Sequence, residues 1–278
     1  MFRDEEIALC QLETTSFALE DNFNKIVTII NTAKEDGARV FVFPEFAICG
    51  RDLGDLFFFP SALEKIKEYT EKLINRIPEN SLVCFGTVLV AENGQLCDCY
   101  VSATKGHVIN ITRAKKFDNT TYSFYNLKYF CTCKEDLTFN LLNQKITESI
   151  TFTYKHEDTK TSFAVRLGKQ SSEEKLHVDY LILPKARAFY MESAYHIEEK
   201  LTSLSIKQNC TVLYTNLSGI ESSDCMYAGS ACAARNGTLI LRSLGFSYKD
   251  CGYSLLSDGF AVYENIEELT LRALSYNL

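Results

Sequence analysis

Apolar residues recur along this chain in two alternating rhythms. Ile7 to Leu12 is a short apolar stretch of strand length, and Leu19 to Lys34 follows with Phe23, Ile26, Val27 and Ile30 at the spacing of one helical face. The helix is expected to stop at Asp36-Gly37. Arg39-Val-Phe-Val-Phe-Pro-Glu45 is next, a continuous apolar run closed by proline and a carboxylate, the pattern of a strand buried on both faces. Leu63 to Ile77 again has helical periodicity and ends before Pro78, and Ser81 to Val90 is rich in β-branched and apolar residues. Asn93-Gly94 predicts a hairpin to Cys97–Ala103, and Gly106 turns the chain into His107–Thr112.

The second half repeats the alternation. Thr151 to Tyr154, Phe163 to Leu167 and Val178 to Leu183 read as strands, and Glu192 to Lys207 as a helix. Thr211 to Thr215 reads as a strand, Ser230 to Ala234 and Thr238 to Arg242 flank the turn Asn236-Gly237, and a polar tail follows. Alternating β and α units with several antiparallel hairpins predict a mixed α/β sandwich. No linker or low-complexity segment interrupts residues 1–278, so one domain is expected.

Composition narrows the functions open to such a sandwich. The 278 residues are 46% hydrophobic and 23% charged, enough to build a full core. The net charge is −7 with no Lys/Arg-rich block, which argues against a nucleic-acid partner. The first residues are acidic where a secretory signal is basic, and no apolar run reaches membrane-spanning length, so a cytoplasmic protein with no membrane partner is expected. On that reading the 11 cysteines are reduced thiols. Cys97-Asp-Cys99 and Cys131-Thr-Cys133 are spaced too tightly for a paired zinc knuckle, and neither a metal nor a cofactor is expected.

A carboxylate after a buried strand is usually a solvated loop residue, so Glu45 alone says little. Its context says more. Arg39-Val-Phe-Val-Phe-Pro-Glu-Phe-Ala-Ile-Cys-Gly50, continued by Asp52-Leu-Gly-Asp-Leu-Phe-Phe58, resembles the first signature of the nitrilase superfamily and, past the glycine, the glutaminase half of glutamine-dependent NAD synthetases. Arg113-Ala-Lys-Lys116 through Phe124-Tyr-Asn-Leu-Lys-Tyr-Phe130 is similar to that branch's lysine-to-aromatic segment. Val178-Asp-Tyr-Leu-Ile-Leu-Pro-Lys-Ala-Arg-Ala-Phe189 resembles the strand and turn that follow its nucleophile. Val212-Leu-Tyr-Thr-Asn216, Ser218-Gly219, Tyr227-Ala-Gly-Ser230 and Asn236-Gly237 complete the series in order. The resemblance implies a four-layer α-β-β-α nitrilase-type sandwich with mixed sheets.

In the family a cysteine thiolate attacks an amide carbon, a glutamate moves the proton and a lysine stabilises the oxyanion. Carried over, Glu45 is the general base and Lys115 the oxyanion partner. The cysteine does not carry over. Its place in Ser162-Phe-Ala-Val-Arg-Leu-Gly168-Lys-Gln170 is taken by Gly168, and no cysteine lies between Cys133 and Cys210. Losing a covalent nucleophile costs on the order of a millionfold in turnover, roughly 8 kcal/mol of barrier.

Three readings follow. The first is a pseudoenzyme with structural or regulatory roles, a homo- or hetero-oligomer that associates with an active nitrilase-type or NAD synthetase subunit, in which Glu45 and Lys115 persist as a buried ion pair. The second is an active carbon-nitrogen hydrolase using Ser171, Ser172 or a water held by Glu45. The third is a sensor whose pocket binds a small carboxamide near Lys115. The resemblance also implies a continuation into an ATP-using synthetase domain, whose Ser-Gly-Gly-x-Asp-Ser phosphate loop is absent from this sequence.

Overall fold

The computed structural model describes residues 2–115, 128–168, 174–190, 193–222, 225–246, 251–260 and 275. The first half supplies β1 (Ile7–Glu13), α1 (Leu19–Glu35), β2 (Val40–Val42), α2 (Pro60–Arg76), β3 (Leu82–Val90), β4 (Leu96–Thr104) and β5 (His107–Arg113). Its strands lie side by side in the order β5-β4-β3-β2-β1. β1, β2 and β3 are parallel, whereas β3, β4 and β5 form antiparallel hairpins.

A separate hairpin, β6 (Thr138–Leu141) with β7 (Gln144–Thr147), precedes the second half. That half contains β8 (Thr151–His156), β9 (Thr159–Val165), β10 (Tyr180–Lys185), α3 (Ser193–Gln208), β11 (Thr211–Ser222), β12 (Cys225–Ala228), β13 (Ala231–Arg235), β14 (Thr238–Arg242) and β15 (Cys251–Leu255). β10 runs parallel to both β9 and β11. β11 joins the halves: its first residues pair with β10 and β13, and Leu217 and Ser218 then pair with Leu12 and Glu13 of β1. The rest of that edge of β1 is covered by β15.

Side-chain alternation along these strands builds three cores. Phe41, Phe85 and Val101 face Phe23, Ile26, Ile30, Ile66 and Leu73 of α1 and α2. Val40, Val42, Ile7, Leu9 and Tyr100 point the other way and meet Phe163, Val165, Tyr180, Ile182 and Leu213 between the sheets. Leu181, Val212 and Tyr214 turn from that interface toward Leu201 and Leu204 of α3. The result is the α-β-β-α sandwich that the resemblance implies. The uninterrupted apolar run at residues 40–43 is explained by burial on both faces, each full-sized aliphatic side chain contributing about 1.5–3 kcal/mol.

Several boundaries differ from the sequence reading. α2 begins at Pro60, where a fixed φ suits the first helical position, and not at Leu63. The hairpin β6–β7 turns on Leu142 and Asn143 at φ 53° and 58°, a two-residue left-handed turn without the glycine that usually signals one. The stretch read as a polar tail contains β15, whose residues are only half-buried although Cys251, Tyr253 and Leu255 alternate and pack against the first core.

Candidate functional site

Because β1, β2, β9, β10 and the first part of β11 run in one direction, their carboxyl ends share one edge of the sandwich. In open α/β sheets that edge is where ligands bind. Glu45 follows β2 there, Lys185 closes β10, and Gly168 lies just beyond β9.

Glu45 is placed by a close crossing over β3. Phe43 N–H donates to Cys84 O at 2.8 Å, and Gly86 N–H donates to Pro44 O at 3.0 Å. A Cβ on Gly86 would stand 2.3 Å from Phe46 N and 2.5 Å from Glu45 Cα. Glycine in mid-strand is therefore the condition for this loop to pass. Phe46 then turns the chain with φ 56°, and Glu45 is left only 8% exposed.

The carboxylate of Glu45 accepts a hydrogen bond from Ala186 N–H at 3.1 Å, and its other oxygen lies 3.7 Å from Lys185 Nζ. Both partners come from the opposite sheet. The turn that presents them is clamped by Asn216: Arg187 N–H donates to its Oδ1 at 2.8 Å, and its amide nitrogen donates to Arg187 O at 2.9 Å. Asp98 of β4 adds a second carboxyl. It is 2% exposed, its Oδ1 has no hydrogen-bond partner among the described residues, and burial, reinforced by Glu45, pushes it far above the usual carboxylate range against the pull of Lys185 and Arg51.

Lys115 lies elsewhere. The ion pair expected between Glu45 and Lys115 is not the one formed. Lys115 Nζ is 2.5 Å from Asp136 and 3.7 Å from Glu148, on a cavity of about 280 Å³ that Thr112, Arg113 and Glu174 also line. The Lys115 hydrogen bond holds the Asp136 carboxyl below its ordinary value. The reason is strand alternation. Ala114 N–H donates to Asp98 O at 3.0 Å, so the ladder of β5 and β4 continues past Arg113. Ala114 falls into the inter-sheet core, which sends Arg113 and Lys115 to the other face.

Gly168 adopts φ 56°, a left-handed conformation that glycine takes without steric cost. Two residues earlier Arg166 is 6% exposed and donates to Glu174 O at 3.0 Å, and burial lowers its pKa. Lys169, Gln170, Ser171 and Ser172 lie outside the described residues.

Several thiols among the described residues are buried. Cys10, Cys49, Cys84 and Cys99 are fully buried, and burial pushes each of them well up, Cys84 to about 12. Cys210, beside α3, is pushed up to about 11 by burial. Such thiols are inert. Sequence reasoning missed Lys185, Asp98, Gly86 and Asn216 as parts of the Glu45 site. Asn216 and Lys185 do sit inside the matching segments, but nothing local says which way they point.

Comparison with known proteins agrees with the geometry. Residues 6–115 match the carbon-nitrogen hydrolase family model. In fold the chain is similar to a glutamine-dependent NAD(+) synthetase from Cytophaga hutchinsonii, with a TM-score of 0.79 and 21% identity over 89% of this chain and 42% of that one. It is also similar to a variant amidase from Nesterenkonia sp., with a TM-score of 0.62 and 12% identity over 86% of each chain. Residues 6–115 therefore resemble a carbon-nitrogen hydrolase domain, within a fold like that of nitrilase-superfamily structures. Over most of its length the chain is similar to glutamine-dependent NAD(+) synthetases. The Acinetobacter baylyi enzyme is 25% identical over 81% of this chain, and the chain spans 39% of that relative's length.

Proposed function

We propose that this domain no longer hydrolyses amides and acts as a structural or regulatory subunit that associates with further copies of itself or with an active nitrilase-type or NAD synthetase subunit. The observation that carries the reading is the end of β9, where Gly168 supplies a left-handed turn and no side chain. In the Nesterenkonia amidase, a solved variant carries the acetamide moiety of fluoroacetamide on its active-site cysteine. Here glycine stands where the resemblance places that cysteine. The pairing of Glu45 with Lys185 and of Lys115 with Asp136 supports the same reading, because base and oxyanion partner are engaged in separate contacts.

Association is supported by exposed aromatic surface. Phe58 and Phe59 are 59% and 56% exposed beside a groove of about 550 Å³ lined by Phe57, Leu63, Leu96 and Tyr129. No helix among the described residues is long and apolar enough to cross a membrane.

Ammonia release from glutamine, asparagine and acetamide by the purified protein tests the proposal. No release above buffer is expected, and turnover at an ordinary enzymatic rate overturns it. Peptide mapping after fluoroacetamide treatment addresses the alternative nucleophiles, since an adduct on Ser171 or Ser172 would establish the hydrolase reading instead.

A sensor of small carboxamides is a second reading, favoured by the unpartnered Asp98 Oδ1 beside Glu45. Calorimetric titration with glutamine and nicotinamide tests it. Binding is expected to depend on Asp98 and Lys185, not on Lys115 as the motif alone implies.

A further inference from the structure

The two Cys-x-Cys motifs, set aside as metal ligands because of their spacing, come together in the fold. Cys131 N–H donates to Leu96 O at 2.8 Å, which brings residues 131–133 alongside Cys97 and Cys99 of β4. Arg113 donates to Cys131 O at 3.4 Å and to Cys133 O at 3.2 Å. Among the described residues no group of side chains has metal-binding geometry.

The four thiols differ in access. Cys97 and Cys99 are buried, whereas Cys131 and Cys133 are half-buried and open to small reagents. The exposed pair is also coupled. Cys133 N–H points at Cys131 Sγ from 3.3 Å, and Cys131 Sγ donates to Gln95 Oε1 at 3.1 Å. The Cys133 N–H and the Gln95 amide oxygen hold Cys131 Sγ in place beside Cys133. Burial and the neighbouring Cys131 sulfur push the Cys133 thiol up, with Arg113 opposing.

We propose that Cys131 and Cys133 form a reversible dithiol site for low-molecular-weight disulfides such as oxidised glutathione, with Cys131 attacking and Cys133 resolving. Cys131, as the thiolate, attacks one sulfur of the disulfide, and a Cys131–glutathione bond forms as one glutathione thiolate leaves. Cys133 then loses its proton to solvent and attacks Cys131 Sγ, expelling the second glutathione. Two protein thiols are oxidised as one disulfide is reduced to two thiols. The ring spans three residues, so loop closure stabilises it little, and such a disulfide is readily reduced again.

The test places the full chain in glutathione buffers of increasing oxidised fraction, quenches with iodoacetamide and maps peptides by mass spectrometry. The titratable thiols are expected to fall by two from 11, with the missing pair at Cys131 and Cys133, and to return with dithiothreitol. Cys133→Ser should stop at one glutathionyl group on Cys131. Cys131→Ser should slow modification at this site by at least about tenfold, as expected when the attacking sulfur is removed. Cys97→Ser should leave the pattern unchanged. Full alkylation of both residues in oxidising buffer overturns the proposal. So does arrest of the wild type at the mixed disulfide, or pairing of either residue with another cysteine. Circular dichroism of each serine variant separates these outcomes from misfolding.

Discussion

Two ion pairs, Arg113–Glu148 beside β5 and Lys185–Glu45 between the two sheets, are built to different standards. Arg113 is fully buried and grips Glu148 from Nε at 3.1 and 3.3 Å and from a terminal nitrogen at 2.9 Å, while also donating to the carbonyls of Cys131, Cys133 and Glu135. Glu148 accepts in addition from Leu137 N–H at 2.9 Å. Every neighbour is used for holding loops together. Lys185 and Glu45 are 3.7 Å apart with one backbone donor, and Asp98 beside them has an oxygen without a partner among the described residues. The saturated pair is scaffold. The loose one is where a ligand can still add hydrogen bonds.

The largest effect that would test this contrast is at Arg113. Arg113→Ala leaves Glu148 buried without its cation and is expected to cost about 3–5 kcal/mol in urea unfolding. Arg113→Met combined with Glu148→Leu should recover most of that loss. If the single variant is neutral, the scaffold assignment fails.

A pH effect comes next, from another carboxyl, Glu221 of β11. Glu221 accepts from Arg51 N–H at 2.8 Å and from Ser16 at 3.1 Å, yet burial raises it from 4.5 to about 7. The folded chain therefore binds its proton more tightly than the unfolded chain. Stability should fall as pH rises across that window, by about 3 kcal/mol at roughly 1.4 kcal/mol per pKa unit. Urea midpoints at pH 5 and pH 8 read this directly. Glu221→Gln should flatten the difference, and an unchanged slope would remove Glu221 as its source.

Gly86→Ala sharpens the comparison at the other pair. The added methyl meets Phe46 N and the Glu45 backbone, with an expected cost of about 1–3 kcal/mol and a displaced Glu45. Loss of any carboxamide binding along with stability would show that β3 positions the carboxylate. The smallest change is Lys185→Met, expected to cost only about 1 kcal/mol because the pair is long and the residue's stem still packs. A loss as large as that at Arg113 would erase the distinction between the two pairs.

Much of the framework was legible before any coordinates. β1, α1, β2, the β3–β4 hairpin and α3 fall within a few residues of the sequence reading, because each carries a full apolar period and a turn signal at its end. The elements that escaped are short or only partly buried. β6 and β7 turn through Leu142 and Asn143, and β15 is half-buried along its length. At the site, Glu45, Lys115 and Gly168 were all named from the resemblance, and the pairing expected between Glu45 and Lys115 is replaced by Lys115 with Asp136 and Glu45 with Lys185.

Sequence alone determined that Glu45 follows a continuous apolar run and that no cysteine lies between Cys133 and Cys210. Those statements concern order along the chain, and packing cannot alter them. Only the tertiary structure decided which cation meets Glu45. That choice depends on which face of β4 and β5 each side chain takes and on a turn 141 residues away clamped by Asn216. A one-residue step in a strand reverses the face, and the partner of a buried charge is whatever the opposite sheet presents there.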